Sequence, residues 1–151
     1  MGLMDGKRGV IFGVANDKSI AWGVAQQLHE AGAEIAFTYL NEALEKRVRP
    51  LAESLGSKIV LPCDVSSDDE IAAVFTELEK QWGTIDFVVH AVAFANRDDL
   101  KNDFSQTSRE GFALAMDISA YSLIPTTRYA MPLMSAGGSI VTMTYLGAMM
   151  A

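Results

Sequence analysis

Apolar runs of strand length alternate with segments of helical period along this chain, and that alternation restricts its fold more than any other feature. Gly9-Val10-Ile11-Phe12 reads as a first strand ending in Gly13. Residues 19–31 then read as a helix: Ile20, Val24, Ala25 and Leu28 recur at three- and four-residue steps, and Gly32 stands where glycine ends helices. Glu34-Ile35-Ala36-Phe37-Thr38-Tyr39 predicts a second strand. Residues 42–55 predict a second helix with Leu44, Val48, Leu51 and Leu55 on one face, and Lys58-Ile59-Val60-Leu61 a third strand. Ser67-Asp68-Asp69-Glu70 has the form of a capping box and opens a helix that runs to about Trp82, where Gly83 closes it. Ile85-Asp86-Phe87-Val88-Val89-His90 predicts a fourth strand. A long helix is expected from Ser108 or Arg109 into the 120s or 130s, and Gly138-Ser139-Ile140-Val141-Thr142-Met143-Thr144 predicts a fifth strand.

Strands separated by helices require crossover connections, and right-handed crossovers produce a parallel sheet covered on both faces. The expected fold class is therefore α/β, a Rossmann-like doubly wound parallel sheet forming one domain over residues 1–151. In the order 3-2-1-4-5 the fifth strand lies at an edge, with Ile140, Val141 and Met143 open. Complete domains cover such an edge, so the expectation is a folding unit that is incomplete at Ala151.

Charge narrows the partners. Lys and Arg number 12 against 19 Asp and Glu, a net charge of −7. That balance lacks the basic footprint nucleic-acid binding needs. A single cysteine excludes an internal disulfide and a multi-cysteine metal site, and two distant histidines make no metal centre. No run approaches the ~18 apolar residues of a membrane span, and no apolar stretch follows the charges of the N-terminus. The expected location is cytoplasmic, without membrane association.

The first strand-to-helix turn reads Gly13-Val14-Ala15-Asn16-Asp17-Lys18-Ser19-Ile20-Ala21-Trp22-Gly23. Gly13 lets the chain leave the strand tightly. Ser19, at the helix start, offers a hydroxyl and free N–H groups to a pyrophosphate. Gly23, one turn on, allows close approach to phosphates and sheet. An ordinary glycine turn with a serine cap accounts for the spacing equally well. The second strand ends in Thr38-Tyr39-Leu40, with no Arg or Lys directly after it to hold a 2′-phosphate, which favours NADH over NADPH. Lys46, Arg47 and Arg49 lie further on and read as a solvated helix face. The third strand ends in Cys63-Asp64-Val65. There Asp64 can accept from an adenine amino group while the Val65 N–H donates to the ring, or Asp64 organises the turn before Ser67. Cys63 reads as a small buried hydrophobe. At the end of the fourth strand, the small residues of Ala91-Val92-Ala93 let a nicotinamide ribose lie against backbone, and His90 reads as a hydrogen-bonded strand-end histidine rather than a base.

Together, the turn from Gly13 to Gly23, Phe37-Thr38-Tyr39, Asp64-Val65, His90-Ala91-Val92-Ala93-Phe94-Ala95, Met116-Asp117-Ile118-Ser119-Ala120-Tyr121-Ser122 and Thr144-Tyr145-Leu146-Gly147 resemble the bacterial NADH-dependent enoyl-acyl-carrier-protein reductases. These are divergent short-chain dehydrogenases of fatty-acid elongation. The resemblance runs from Gly6 to about Gly147. It implies that Gly13, Ser19, Ile20, Asp64, Val65 and Val92 contact NADH, that Ala95 lies by the acyl substrate, and that Tyr145 is the first of two active-site tyrosines. Leu40 stands at an adenosine-contact position where many relatives place Gln. The implied partner is an enoyl-acyl carrier protein, and the implied assembly a homotetramer.

The family's principal tyrosine and lysine form a Tyr-x6-Lys motif after Tyr-Leu-Gly, whereas here Ala148-Met149-Met150-Ala151 follow. The chain is therefore expected to carry five of the family's seven strands and to stop before the catalytic pair. Two other readings stay open: a non-catalytic dinucleotide-binding fragment, and a general short-chain dehydrogenase acting on a carbonyl. The latter would want a serine near the place Tyr145 occupies.

Overall fold

The computed structural model describes residues 2–150. Its five-stranded parallel sheet has the order β3-β2-β1-β4-β5, made by β1 (Arg8–Phe12), β2 (Glu34–Tyr39), β3 (Val60–Pro62), β4 (Phe87–His90) and β5 (Ser139–Thr142). This is the Rossmann-like arrangement, with the chain reversing its direction of travel between β1 and β4.

The central strands are apolar on both faces because helices cover both. Val10, Phe12, Ala36 and Val88 face a layer built from α3 (Asp68–Trp82) and α6 (Leu123–Ala130). Ile11, Ile35, Phe37, Phe87 and Val89 face α1 (Ile20–Glu30) and α2 (Glu42–Ser54). Aromatic pairs join sheet to helix on each side: Phe12 with Phe75 at 6.1 Å between ring centroids, and Phe37 with Trp22 at 6.4 Å.

The helix expected over residues 42–55 forms through Pro50, and two other segments depart from the sequence expectation. Pro50 lies inside α2 without ending it. Proline removes one helical N–H donor, but Pro50 sits on the exposed face, where water can satisfy the freed carbonyl. The expected long helix is three pieces: α5 (Arg109–Met116), a π-helical turn at Asp117–Tyr121, and α6. A short helix, α4 (Arg97–Lys101), and a 3₁₀ turn at Phe104–Gln106 fill the segment before α5.

Only half of the capping box forms. Ser67 Oγ accepts from the Glu70 N–H at 3.3 Å, but the Glu70 carboxylate accepts from the Asp64 N–H at 2.7 Å. The helix start is thereby tied to the end of β3. At the sheet edge, Val141 in β5 and Met143 just beyond it are about half exposed.

Candidate functional site

A cleft of ≈ 270 Å³ runs along the carboxyl ends of β1, β2, β3 and β4. Gly13, Val14 and Ala15 follow β1, and residues 91–94 follow β4, so the cleft opens at the point where the strand order reverses. Its other end lies over Thr38, Tyr39, Leu40 and Leu44 on one side and Cys63, Asp64 and Val65 on the other. Ile118, on the π-turn, completes the wall.

Gly13 is required twice over. Its φ of 106° lies in the left-handed region, and a Cβ there would stand 2.0 Å from the Ala91 carbonyl oxygen. The close approach of the two strand ends shapes this end of the cleft. Gly23 has no such role: a Cβ there meets nothing within 4 Å. The expected close packing of Gly23 on the sheet is corrected accordingly, since α1 turns that position to the exposed side.

Ser19 turns its hydroxyl back into the loop. Oγ donates to the Asn16 carbonyl at 2.5 Å and accepts from the Ala15 and Asn16 N–H groups at 3.3 and 3.4 Å. The side chain thus holds the turn and leaves the start of α1 uncapped. The Ile20 and Ala21 N–H groups, at the first positions of α1, have no intrahelical acceptor. The Ile20 side chain itself is exposed.

Asp64 organises its turn. Oδ1 accepts from the Ser66 N–H at 2.9 Å and from Ser66 Oγ at 2.7 Å. Asp64 is also one of the residues lining the cleft. Neighbouring Cys63 is buried, and that burial pushes its thiol pKa up to about 12, with the Glu70 and Asp64 carboxylates adding to it. Such a thiol is a packing group. On α2, Arg49 pairs with Glu45 through Nε at 3.1 Å and Nη2 at 2.5 Å. Burial and the Glu45 carboxylate raise the Tyr39 phenol pKa. Lys46 and Arg47 are exposed.

At the last position of β4, His90 is 1% exposed and hydrogen-bonded on both ring nitrogens. Ser122 Oγ donates to the Ile118 carbonyl at 2.6 Å, so it accepts from His90 Nε2–H at 2.7 Å. Nδ1 then accepts from Thr142 Oγ1–H at 3.0 Å. The histidine is a structural joint between β4, β5 and the π-turn, and it does not open to the cleft.

Of the residues singled out from sequence, Gly13, Leu40, Asp64, Val65 and Val92 share the cleft. Ser19, Ile20 and half-buried Ala95 are not among its lining residues; Ala95 follows Phe94 of the wall in the chain. Tyr145 is outside it: 82% exposed, with its ring over Gly147. It leaves β5 at the same carboxyl end of the sheet, because Thr142 pairs with His90 and the Met143 N–H continues to the His90 carbonyl at 3.1 Å. Sequence reasoning missed Leu44, Phe94 and Ile118 as cleft residues. Their apolar character carries no signal that separates a cleft wall from core. Among the described residues, no group of His, Cys, Asp and Glu could hold a metal ion.

The sequence model of a family described as enoyl-(acyl carrier protein) reductase matches residues 13–151. The chain is 56% identical over 147 residues to the NADH-dependent enoyl-[acyl-carrier-protein] reductase 1 of Rhizobium meliloti, covering 97% of this chain and 54% of that protein. The enoyl-acyl-carrier-protein reductase of Anaplasma phagocytophilum, solved in complex with NAD, superposes with a TM-score of 0.94 at 52% identity, over 98% of this chain and 56% of that one. The Bacillus cereus reductase, solved with NADP+ and indole naphthyridinone, gives a TM-score of 0.94 at 52% identity, over 100% and 60%. The chain spans about half the length of the curated relatives it matches. With that family model matching residues 13–151 and such relatives more than 50% identical over 97% of the chain, the chain belongs to the enoyl-(acyl carrier protein) reductase family.

Proposed function

We propose that these 151 residues form the dinucleotide-binding part of an NADH-dependent enoyl-acyl-carrier-protein reductase of fatty-acid elongation. The observation that carries this is the cleft at the strand-order reversal, bordered by a tight glycine turn on one side and small residues on the other. The residues present fit a dinucleotide. The apolar space over β2 and β3 suits an adenine, with Asp64 and Val65 among the residues that line it. The uncapped start of α1 suits a pyrophosphate. Ala91, Val92 and Ala93 leave room for a nicotinamide ribose against backbone.

When bound, NADH supplies the hydride that adds to the β-carbon of a trans-2-enoyl thioester. The thioester carbonyl oxygen then carries enolate charge, and a proton taken up at the α-carbon completes the saturated product. This chain contributes the walls that hold and orient the reactants. Tyr145 is proposed to place its hydroxyl toward the carbonyl oxygen, where a donor stabilises developing negative charge. Its position at the carboxyl end of β5, beside the chain leaving β4, supports that role. Ala95 is proposed to border the acyl chain.

The family's Tyr-x6-Lys segment is proposed to come from sequence outside these residues, in keeping with the 54–58% of relatives' length that the chain spans. The proposed partner is an enoyl-acyl carrier protein, and the proposed assembly a homotetramer. Phe112, Met116, Tyr121, Ile124 and Met131, all exposed on the α5–α6 side, support self-association. A cytoplasmic location is proposed; among the described residues no helix is long and apolar enough to cross a membrane.

The test follows NADH oxidation with an enoyl thioester, comparing the complete open reading frame with the 151-residue chain. Substrate-dependent oxidation by the full product, and none by the chain alone, is expected. A full product that binds NADH but reduces no enoyl thioester would contradict the assignment.

A further inference from the structure

Besides Ile118, the π-turn at Asp117–Tyr121 reaches the cleft wall through the Ser119 side chain. Ser119 Oγ accepts from the Phe94 N–H at 3.0 Å and donates to the Phe94 carbonyl at 3.2 Å. One hydroxyl thus engages both main-chain polar groups of one residue. Phe94 belongs to the cleft wall together with Ala91, Val92 and Ala93.

This wall needs an anchor. Residues 91–95 form neither strand nor helix. The near end is held where the Ala91 N–H donates to the Phe12 carbonyl at 3.1 Å. Among the described residues, the main-chain groups of 92–95 make no other hydrogen bond to protein than the pair with Ser119.

The π-turn explains how one short segment grips both ends of the wall. The Ser122 N–H reaches back five residues to the Asp117 carbonyl at 3.1 Å, which marks the inserted residue. Ser122 bonds His90, at the last position of β4, and Ser119 bonds Phe94, four residues later. The two serines therefore span the stretch that forms the wall, and Ile118, directly before Ser119, lines the same cleft.

We propose that Ser119 is a positioning residue that fixes the peptide at Phe94 and so shapes the wall against the nicotinamide-ribose half of the cofactor. The proposal rests on the dinucleotide reading of the cleft. Ser119 makes no contact with the adenine end, over β2 and β3, and this separates positioning from general stability.

The test uses the protein expressed from the complete open reading frame and its Ser119→Ala and Ser119→Thr variants. Amide exchange at Phe94 is measured, together with affinity for NADH and for ADP, which lacks the nicotinamide half. Ser119→Ala should speed Phe94 exchange and weaken NADH about three- to tenfold, the scale of one neutral hydrogen bond, with ADP affinity unchanged. Ser119→Thr should restore both. Unchanged NADH affinity in Ser119→Ala, or equal weakening of NADH and ADP, would overturn the proposal alone. No NADH binding by the unsubstituted protein would overturn the dinucleotide reading, and this proposal with it.

Discussion

His90 and Ser122 share a buried hydrogen bond of 2.7 Å that joins the end of β4 to the segment packed across the cleft. Because Ser122 gives its own proton to Ile118, the imidazole is neutral with its proton on Nε2. Burial holds the His90 pKa below its ordinary 6.5. The unfolded chain therefore binds more protons than the folded one below about pH 6.5, so this contribution is complete above that pH and shrinks as the pH falls toward the folded-state value. Urea unfolding should show a lower midpoint at about pH 5.5 than at about pH 7.5, with a smaller drop in His90→Asn. An equal drop in both proteins would remove His90 from the account. At neutral pH, Ser122→Ala should cost roughly 1–3 kcal/mol, because a buried imidazole N–H loses its acceptor.

NADH should bind more tightly than NADPH. The end of β2 offers Thr38, Tyr39 and Leu40 to the adenosine ribose, and Arg49, the nearest half-buried cation on α2, is already paired with Glu45. Titration of each cofactor into the chain checks this. Tighter binding of NADPH would show that a cation such as Lys18 or Arg47, which border a separate open depression, turns to the 2′-phosphate.

Ser19→Ala and Asp64→Ala should each weaken NADH by roughly 1–3 kcal/mol, the range for hydrogen bonds whose loss leaves a partner unsatisfied. The routes differ. Ser19 holds the loop through the Asn16 carbonyl, so its loss should also loosen residues 13–19. Asp64 keeps its backbone tie to Glu70 in the variant, so the loss there should fall mainly on the adenine end. Isothermal titration with NADH and with AMP separates them: Asp64→Ala should weaken both ligands alike. Unchanged NADH affinity in both variants would leave the two residues as turn-formers.

Sheet order and most strand positions were legible because buried parallel strands require continuous apolar runs, and glycines at Gly13, Gly32 and Gly83 mark where the chain turns with positive φ. The segment from Arg97 to Gln106 was not legible: α4 and the 3₁₀ turn bury no residue, so they impose no apolar period. The π-turn was hidden for a different reason. Met116 through Ser122 contains no helix breaker, and the inserted residue is held by tertiary bonds from Ser119 and Ser122. The same logic applies at Glu70, whose sequence position marks a capping box but whose carboxylate finds the Asp64 N–H instead. Within the cleft, the glycine turn and the ends of β3 and β4 could be located from sequence. The inward direction of the Ser19 hydroxyl could not, because side-chain orientation in a loop depends on which carbonyl the fold brings near.

The central claim is that the cleft between the ends of β1 and β4 holds a dinucleotide. The most direct measurement is an amide chemical-shift titration of the isotope-labelled 151-residue chain with NADH. Saturable shifts should concentrate at Gly13, Ala15, Leu40, Val65, Val92 and Phe94, residues after four strand ends that line this cleft together. Shifts confined to other surfaces, or none at saturating NADH in a folded chain, would contradict it.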